Sequence, residues 1–122
     1  MGARLSEIVI ESTDPAAAAE FWSRALGWQR RAHQPGDVPW VSASGDPAGP
    51  DLKLVFVPLR EGRPPGNRLY VNPVGAPLDE EVARLTGLGA HRATEGTKAP
   101  WVALVDPGGT ALTVLPNRED EG

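Results

Sequence analysis

The sequence of 122 residues contains no cysteine. Disulfide bridges, zinc–thiolate sites and a catalytic thiol nucleophile are therefore excluded. A basic excess is also missing, because 12 Lys and Arg residues stand against 16 Asp and Glu residues and the net charge is −4. With a pI near 5.1, the chain lacks the positive footprint of a nucleic-acid-binding protein.

Long apolar segments are missing as well. The opening sequence MGARLSEIVI has none, so we expect neither a signal peptide nor a membrane span. We expect a cytoplasmic protein with no membrane or nucleic-acid partner. A length of 122 residues suits one compact domain, and we therefore predict a single domain over residues 1–122.

The chain does contain an internal repeat. The phrase PWVSASGDPAG, which includes Trp40, returns as PWVALVDPGG, which includes Trp101, 61 residues later. A Leu-Gly pair precedes both phrases, and Gly89 follows Gly27 by 62 residues. Asp-Pro-x-Gly alone is a common turn, but a turn does not explain the Pro-Trp-Val before each copy. Offsets that drift by a residue or two indicate a duplicated unit.

Each copy has the pattern of a βαβββ unit, at approximately residues 4–58 and 68–116, with a charged, proline-containing linker at 59–67. In the first copy, STDP followed by apolar residues at i, i+3, i+4, i+7 and i+8 predicts a helix that ends at Gly27. In the second, PLDEEVARLTGLG predicts a helix with acids in its first turn. Short β-branched segments bounded by Pro, Gly or Asp predict four strands in each copy.

Two such units predict an α+β fold, in which tandem βαβββ modules form a curved mixed sheet with the helices outside and a trough inside. A trough lined from both halves is a natural ligand site. Strand alternation assigns side chains either to the helix-facing core or to the trough. On this basis we predict the following ligand-binding residues: Glu7, Val9, Glu11, Trp40, Val55, Tyr70, Asn72, Trp101 and Thr113.

The repeat order, the helix exit FW…ALGW and the segments EEVARLTGLGA and WVALVDPGGTALTVL resemble the vicinal oxygen chelate superfamily. The resemblance runs from about Leu5 to Pro116 and is strongest to glyoxalase-like and bleomycin-resistance-like members. It implies the glyoxalase/bleomycin resistance/dioxygenase fold and a homodimer. Because functions in this superfamily are mixed, the fold alone does not assign an activity.

The resemblance also implies where a metal would bind. Metal-dependent members carry His or Gln on the first strand and Glu on the last strand of each half. The matching positions here are Glu7, Val55, Tyr70 and Thr113. Val55 cannot coordinate a metal, and only Glu7 is a good ligand for a divalent cation. His33 and His91 stand among arginines on outer strands, so we predict no metal and no cofactor.

Without a metal, Trp40 and Trp101 offer two indole faces for a flat aromatic or cationic guest. The acids Glu7 and Glu11 would add negative charge to such a site. The alternative is that both indoles pack against a helix or a dimer partner, since inward and outward placement differ by one residue.

The function predicted first is metal-independent binding of a small organic molecule, with sequestration of an antibiotic or planar metabolite implied by the resemblance. The alternative is a glyoxalase-, epimerase- or dioxygenase-like enzyme that acts in the same trough. Without a metal, such an enzyme would use Glu7 as its base and Tyr70 as its acid. A protein whose trough serves only to form a dimer is the third possibility.

Overall fold

The computed structural model describes residues 2–31, 36–60, 67–93 and 100–116. Its elements follow the order βαβββ-βαβββ, as predicted. The first repeat contains β1 (Glu7–Ser12), α1 (Pro15–Leu26), β2 (Gln29–Arg31), β3 (Trp40–Ser42) and β4 (Lys53–Pro58). The second repeat contains β5 (Arg68–Val71), α2 (Leu78–Gly87), β6 (His91–Arg92), β7 (Val102–Val105) and β8 (Ala111–Val114).

The strands form two four-stranded sheets with the same topology. The first has the order β1-β4-β3-β2 and the second the order β5-β8-β7-β6. In each sheet the first and last strands of the repeat pair in parallel, whereas the other pairs are antiparallel. Both sheets are therefore mixed, which confirms the predicted α+β class with tandem βαβββ modules.

Helix α1 begins and ends where the sequence predicts. The carboxylate of Asp14 accepts a hydrogen bond from the Ala17 amide at 3.1 Å, and Pro15 occupies the first turn. Gly27 ends the helix with a φ of 70°, a left-handed conformation that glycine adopts without steric cost. The helix packs against β4 and β3 of the first sheet and buries Ala18, Ala19, Phe21 and Trp22.

The buried apolar side chains form one cluster to which both repeats contribute. They alternate along the strands, as the predicted period of two requires. In β1, Ile10 is buried while Val9 is 50 % exposed, and in β4 Leu54 and Phe56 are buried on either side of the partly exposed Val55. The sheet face opposite this core is called the trough face below.

The two repeats are joined by buried hydrogen bonds at the β7–β8 turn. The Trp22 indole N–H of α1 donates to Asp106 Oδ2 at 2.7 Å, and Asp106 is only 2 % exposed. Its Oδ1 accepts from the amides of Gly108 and Thr110, both at 2.8 Å. The Gly108 carbonyl accepts the backbone amide of Thr13 at 2.9 Å. This turn therefore anchors the second repeat to the start of α1.

Some predictions lie outside the described residues. These are most of the linker, at 61–66, and His33. Within the described ranges, neither helix has the length and apolar character needed to cross a membrane. The single-domain assignment and the exact repeat boundaries remain predictions.

Candidate functional site

The trough face of the first sheet carries Trp40. Strand register places Trp40 opposite Val55, and Val55 opposite Val9, so the three side chains share one face. The neighbouring position on β4 is Lys53, whose ammonium nitrogen lies 5.4 Å from the centre of the Trp40 ring. This separation suits a cation–π contact. A cation from the same chain therefore already lies against the Trp40 indole.

The two predicted acids of the first sheet also lie beside cations. Glu7 stands opposite Lys53 in the strand register. Glu11 forms an ion pair with Arg60, with 3.2 Å between the carboxylate oxygen and the guanidinium nitrogen. On this face Glu11 is thus ion-paired, and Glu7 lies in register with a basic residue.

A cavity lies over the trough face of the second sheet. Tyr70 lies opposite Thr113, and Thr113 lies opposite Ala103, so the three side chains form one row. A cavity of about 550 Å³ opens over this row, and all its lining residues come from the second repeat. The lining is Arg68, Tyr70, Ala93, Trp101, Ala103, Leu104, Ala111, Leu112, Thr113 and Leu115.

Small side chains explain why this cavity lies on the second sheet. In the first sheet Glu7 faces Lys53, whereas at the matching place of the second sheet Tyr70 faces Thr113. A short threonine side chain thus replaces a long lysine side chain, and the neighbouring position on β8 is Ala111. Next to this space, Trp101 remains 48 % exposed and Tyr70 remains 61 % exposed.

A second cavity, of about 400 Å³, lies at the junction of the two repeats. It runs between the end of α1 and α2, and Asn72 lines it together with Arg84. The Arg84 guanidinium donates to the Ala25 carbonyl of α1 at 2.9 Å and to Glu81 Oε1 at 2.7 Å. The hydrogen bond with Glu81 raises the pKa of Arg84 above its ordinary value. The Arg84 side chain in this cavity is therefore a permanent cation that links the two helices.

The four positions that hold a metal in metal-dependent relatives do not fit one here. Val55 offers no ligand atom, and the trough-face neighbour of Glu7 across the strand is the basic Lys53. In the described ranges, no group of three or more His, Asp or Glu side chains comes together in a way that could hold an ion.

The glyoxalase-like domain family matches residues 7–115 of this sequence. The chain belongs to this family. Among solved structures, this glyoxalase-like protein is similar to TnmS3, an antibiotic-binding protein from Streptomyces sp. CB03234, with 24 % identity and a TM-score of 0.58. That alignment covers 95 % of this chain and 98 % of the other. A search of curated proteins gave no match.

Two further similar structures carry different functional names. One is a glyoxalase/bleomycin resistance protein, also from Streptomyces sp. CB03234, with 25 % identity, a TM-score of 0.51 and coverage of 91 % of this chain and 98 % of that chain. The other is the trypanothione-dependent glyoxalase I of Leishmania major, with 16 % identity, a TM-score of 0.58 and coverage of 98 % and 90 %. The superfamily resemblance and the fold are thereby confirmed. A binding protein and an enzyme share this fold, so it does not decide between the two functions.

The structure groups the predicted ligand-binding residues into three sets. Tyr70, Trp101 and Thr113 line the cavity of the second sheet, and Asn72 lines the cavity between the repeats. The remaining members lie on β1, β3 and β4 of the first sheet: Glu7, Val9, Glu11, Trp40 and Val55. Their role in binding stays a prediction, because neither cavity includes them.

The predicted set omits two residues that line the cavity of the second sheet. Arg68 lines the cavity beside Tyr70, and Ala103 forms part of its floor. Strand alternation is the sequence signal that could have added both residues to the set. Arg68 is two residues before Tyr70, and Ala103 is two residues after Trp101.

Proposed function

We propose that this glyoxalase-like protein binds a small planar organic molecule over the trough face of the second sheet, without a metal ion. The observation that carries the proposal is the cavity of about 550 Å³ flanked by Tyr70 and Trp101. Cavities of roughly 300–1,000 Å³ accommodate drug-sized ligands. An exposed indole beside a phenol provides flat surfaces on which an aromatic ring can stack.

Sequestration is the biological role that we propose for this binding. The similarity to TnmS3, described as an antibiotic-binding protein, supports an antibiotic or another planar metabolite as the ligand. The lack of a metal-donor set at the four superfamily positions supports binding without a metal. A homodimer and a cytoplasmic location stay part of the proposal, and light scattering of the purified protein measures the first of these.

Fluorescence titration against a panel of planar natural products tests the proposal. We expect quenching by at least one compound, and we expect Trp101→Phe to remove most of that quenching. Trp40→Phe is the matched control, because Trp40 is the equivalent indole of the first sheet and is already covered by Lys53. It should retain the quenching.

Calorimetry of the same compound gives the affinity directly. Loss of one stacking contact costs about 1 kcal/mol, so we expect Trp101→Ala to weaken binding about five-fold. If Trp101→Ala and Tyr70→Ala both leave the affinity of every binding compound unchanged, the site has been placed on the wrong surface.

The alternative is an enzyme with Glu7 as its base. Nothing in the geometry favours it, since Glu7 is exposed and lines neither cavity. Replacing Glu7 by Gln distinguishes the two functions: an acid–base enzyme loses turnover, whereas ligand binding at the second sheet is unaffected.

A further inference from the structure

The two sheets carry different charges on their strands. The four strands of the second sheet include Arg68, His91 and Arg92 but no Asp or Glu. The first sheet, in contrast, has Glu7 and Glu11 on β1 together with the basic residues Arg30, Arg31 and Lys53 on its other strands. A ligand over the second sheet therefore meets a surface on which the charged strand residues are basic.

Arg68 is the charged residue that lines the cavity. Register places it in one row with Ala111, Val105 and His91, on the trough face. Within the ranges that the structure describes, its guanidinium has no ion-pair partner, because the ion pairs found there involve other arginines.

Among the residues that the structure describes, the acid that directly follows a strand of this sheet is engaged elsewhere. Asp106 follows β7 directly, but it is buried, and both its oxygens accept hydrogen bonds from Trp22 and from the turn amides. The other acids of the second repeat that the structure describes belong to α2, namely Asp79, Glu80 and Glu81. None of these four lines the cavity of the second sheet.

We propose that the ligand of this cavity is a planar aromatic carboxylate. Its ring would stack against Tyr70 and Trp101, and its carboxylate would pair with the guanidinium of Arg68. A guanidinium matches the two oxygens of a carboxylate with two parallel hydrogen bonds. The hydroxyl groups of Tyr70 and Thr113 are further donors on the same wall. This inference rests on the proposed function and reverses the cationic guest expected from Glu7 and Glu11.

A series of probes that share one ring and differ in charge tests the preference. The probes are 2-naphthoate, the neutral 2-naphthamide and the cationic 2-naphthylmethylammonium. Each is titrated into the ¹⁵N-labelled protein, and the indole N–H signal of Trp101, identified with Trp101→Phe, reports binding. An exposed ion pair contributes up to about 1 kcal/mol, so we expect naphthoate to bind about five-fold more tightly than naphthamide and the cation to bind most weakly.

Arg68→Gln should abolish the advantage of naphthoate over naphthamide. Arg92→Gln is the matched control, because it removes the same charge from the same sheet. Arg92 does not line the cavity, whereas its two neighbours, His91 and Ala93, lie on the trough face. Arg92 thus belongs to the other face, and its replacement should preserve the advantage.

The outcomes separate the inference from the proposed function. Equal affinity for all three probes, with the Trp101 signal moving in each titration, overturns the charge preference and leaves planar binding intact. An advantage of naphthoate that survives Arg68→Gln, or that is lost equally in Arg92→Gln, also overturns the assignment. If no probe moves the Trp101 signal, planar binding at this surface fails, and the charge preference fails with it.

Discussion

Replacing Asp106 with Ala should destabilise the protein severely, because this carboxylate serves three buried donors. It accepts from the Trp22 indole at 2.7 Å and from the amides of Gly108 and Thr110 at 2.8 Å. Alanine cannot accept any of these hydrogen bonds. The indole belongs to α1 of the first repeat, so the substitution removes a contact within the turn and a contact between the repeats.

The magnitude follows from the donors that are left behind. An unsatisfied buried donor costs about 1–3 kcal/mol, and the turn can relax partly toward water. A loss of about 1–1.5 kcal/mol for each of the three donors reduces the free energy of unfolding by about 4 kcal/mol. That is a large fraction of the roughly 5–15 kcal/mol that stabilises an ordinary domain. With a urea m value near 2 kcal/mol/M, the unfolding midpoint should fall by about 2 M.

The repeat supplies its own control for this experiment. Asp46 occupies the corresponding turn of the first repeat, where it is exposed and its carboxylate accepts the local Ala48 amide at 2.9 Å. Asp46→Ala should therefore cost about 1 kcal/mol or less. A double-mutant cycle of Asp106→Ala with Trp22→Phe should show coupling of at least about 1 kcal/mol. Equal costs at the two aspartates, together with no coupling to Trp22, would refute the anchoring role.

Two further predictions concern the junction between the repeats. Gly108→Ala should reduce the free energy of unfolding by about 1–3 kcal/mol because its Cβ would collide with Ser12 Oγ. Gly87→Ala is the control, because a Cβ at the end of α2 meets open space. In the same urea titration it should be neutral or stabilising. Arg84→Met should cost about 0.5–1 kcal/mol by removing hydrogen bonds to two carbonyls at the end of α1. In thermal denaturation it should lower Tm more than Arg24→Met, which removes only an exposed ion pair within α1; equal shifts would count against the helix-joining role.

The fold could be predicted because several local signals agree. The helix signals around Asp14 and Gly27 are set by hydrogen bonding and by backbone conformation within a few residues, so no knowledge of the rest of the chain is required. The repeat then fixed the order of the elements, since a second copy of the same pattern must form the same unit. The parallel pairing of β1 with β4 and of β5 with β8 is non-local, and the local sequence signals do not specify it.

The candidate site was only partly predictable, since alternation specifies a face but not what fills it. It placed Tyr70 on the trough face and left the direction of Trp40 open, and it could not show that Lys53 lies against the Trp40 ring. That contact depends on the register between β3 and β4, and a shift of one residue would remove it. Asn72 shows a second limit. It lies beyond the end of β5, where strand alternation no longer determines direction, and it lines the cavity between the repeats.

The differences between the copies explain why one sheet rather than the other carries the proposed site. Where the first sheet has Glu7 in register with Lys53, the second sheet has Tyr70 in register with Thr113. The first sheet thus has a carboxylate beside a basic residue and a cation against its own indole. The second sheet has no charge at this position, and the guanidinium of Arg68, two residues before Tyr70, has no ion-pair partner among the described residues. Because the backbone topology is the same in both sheets, these side chains rather than the fold determine where an aromatic anion would bind.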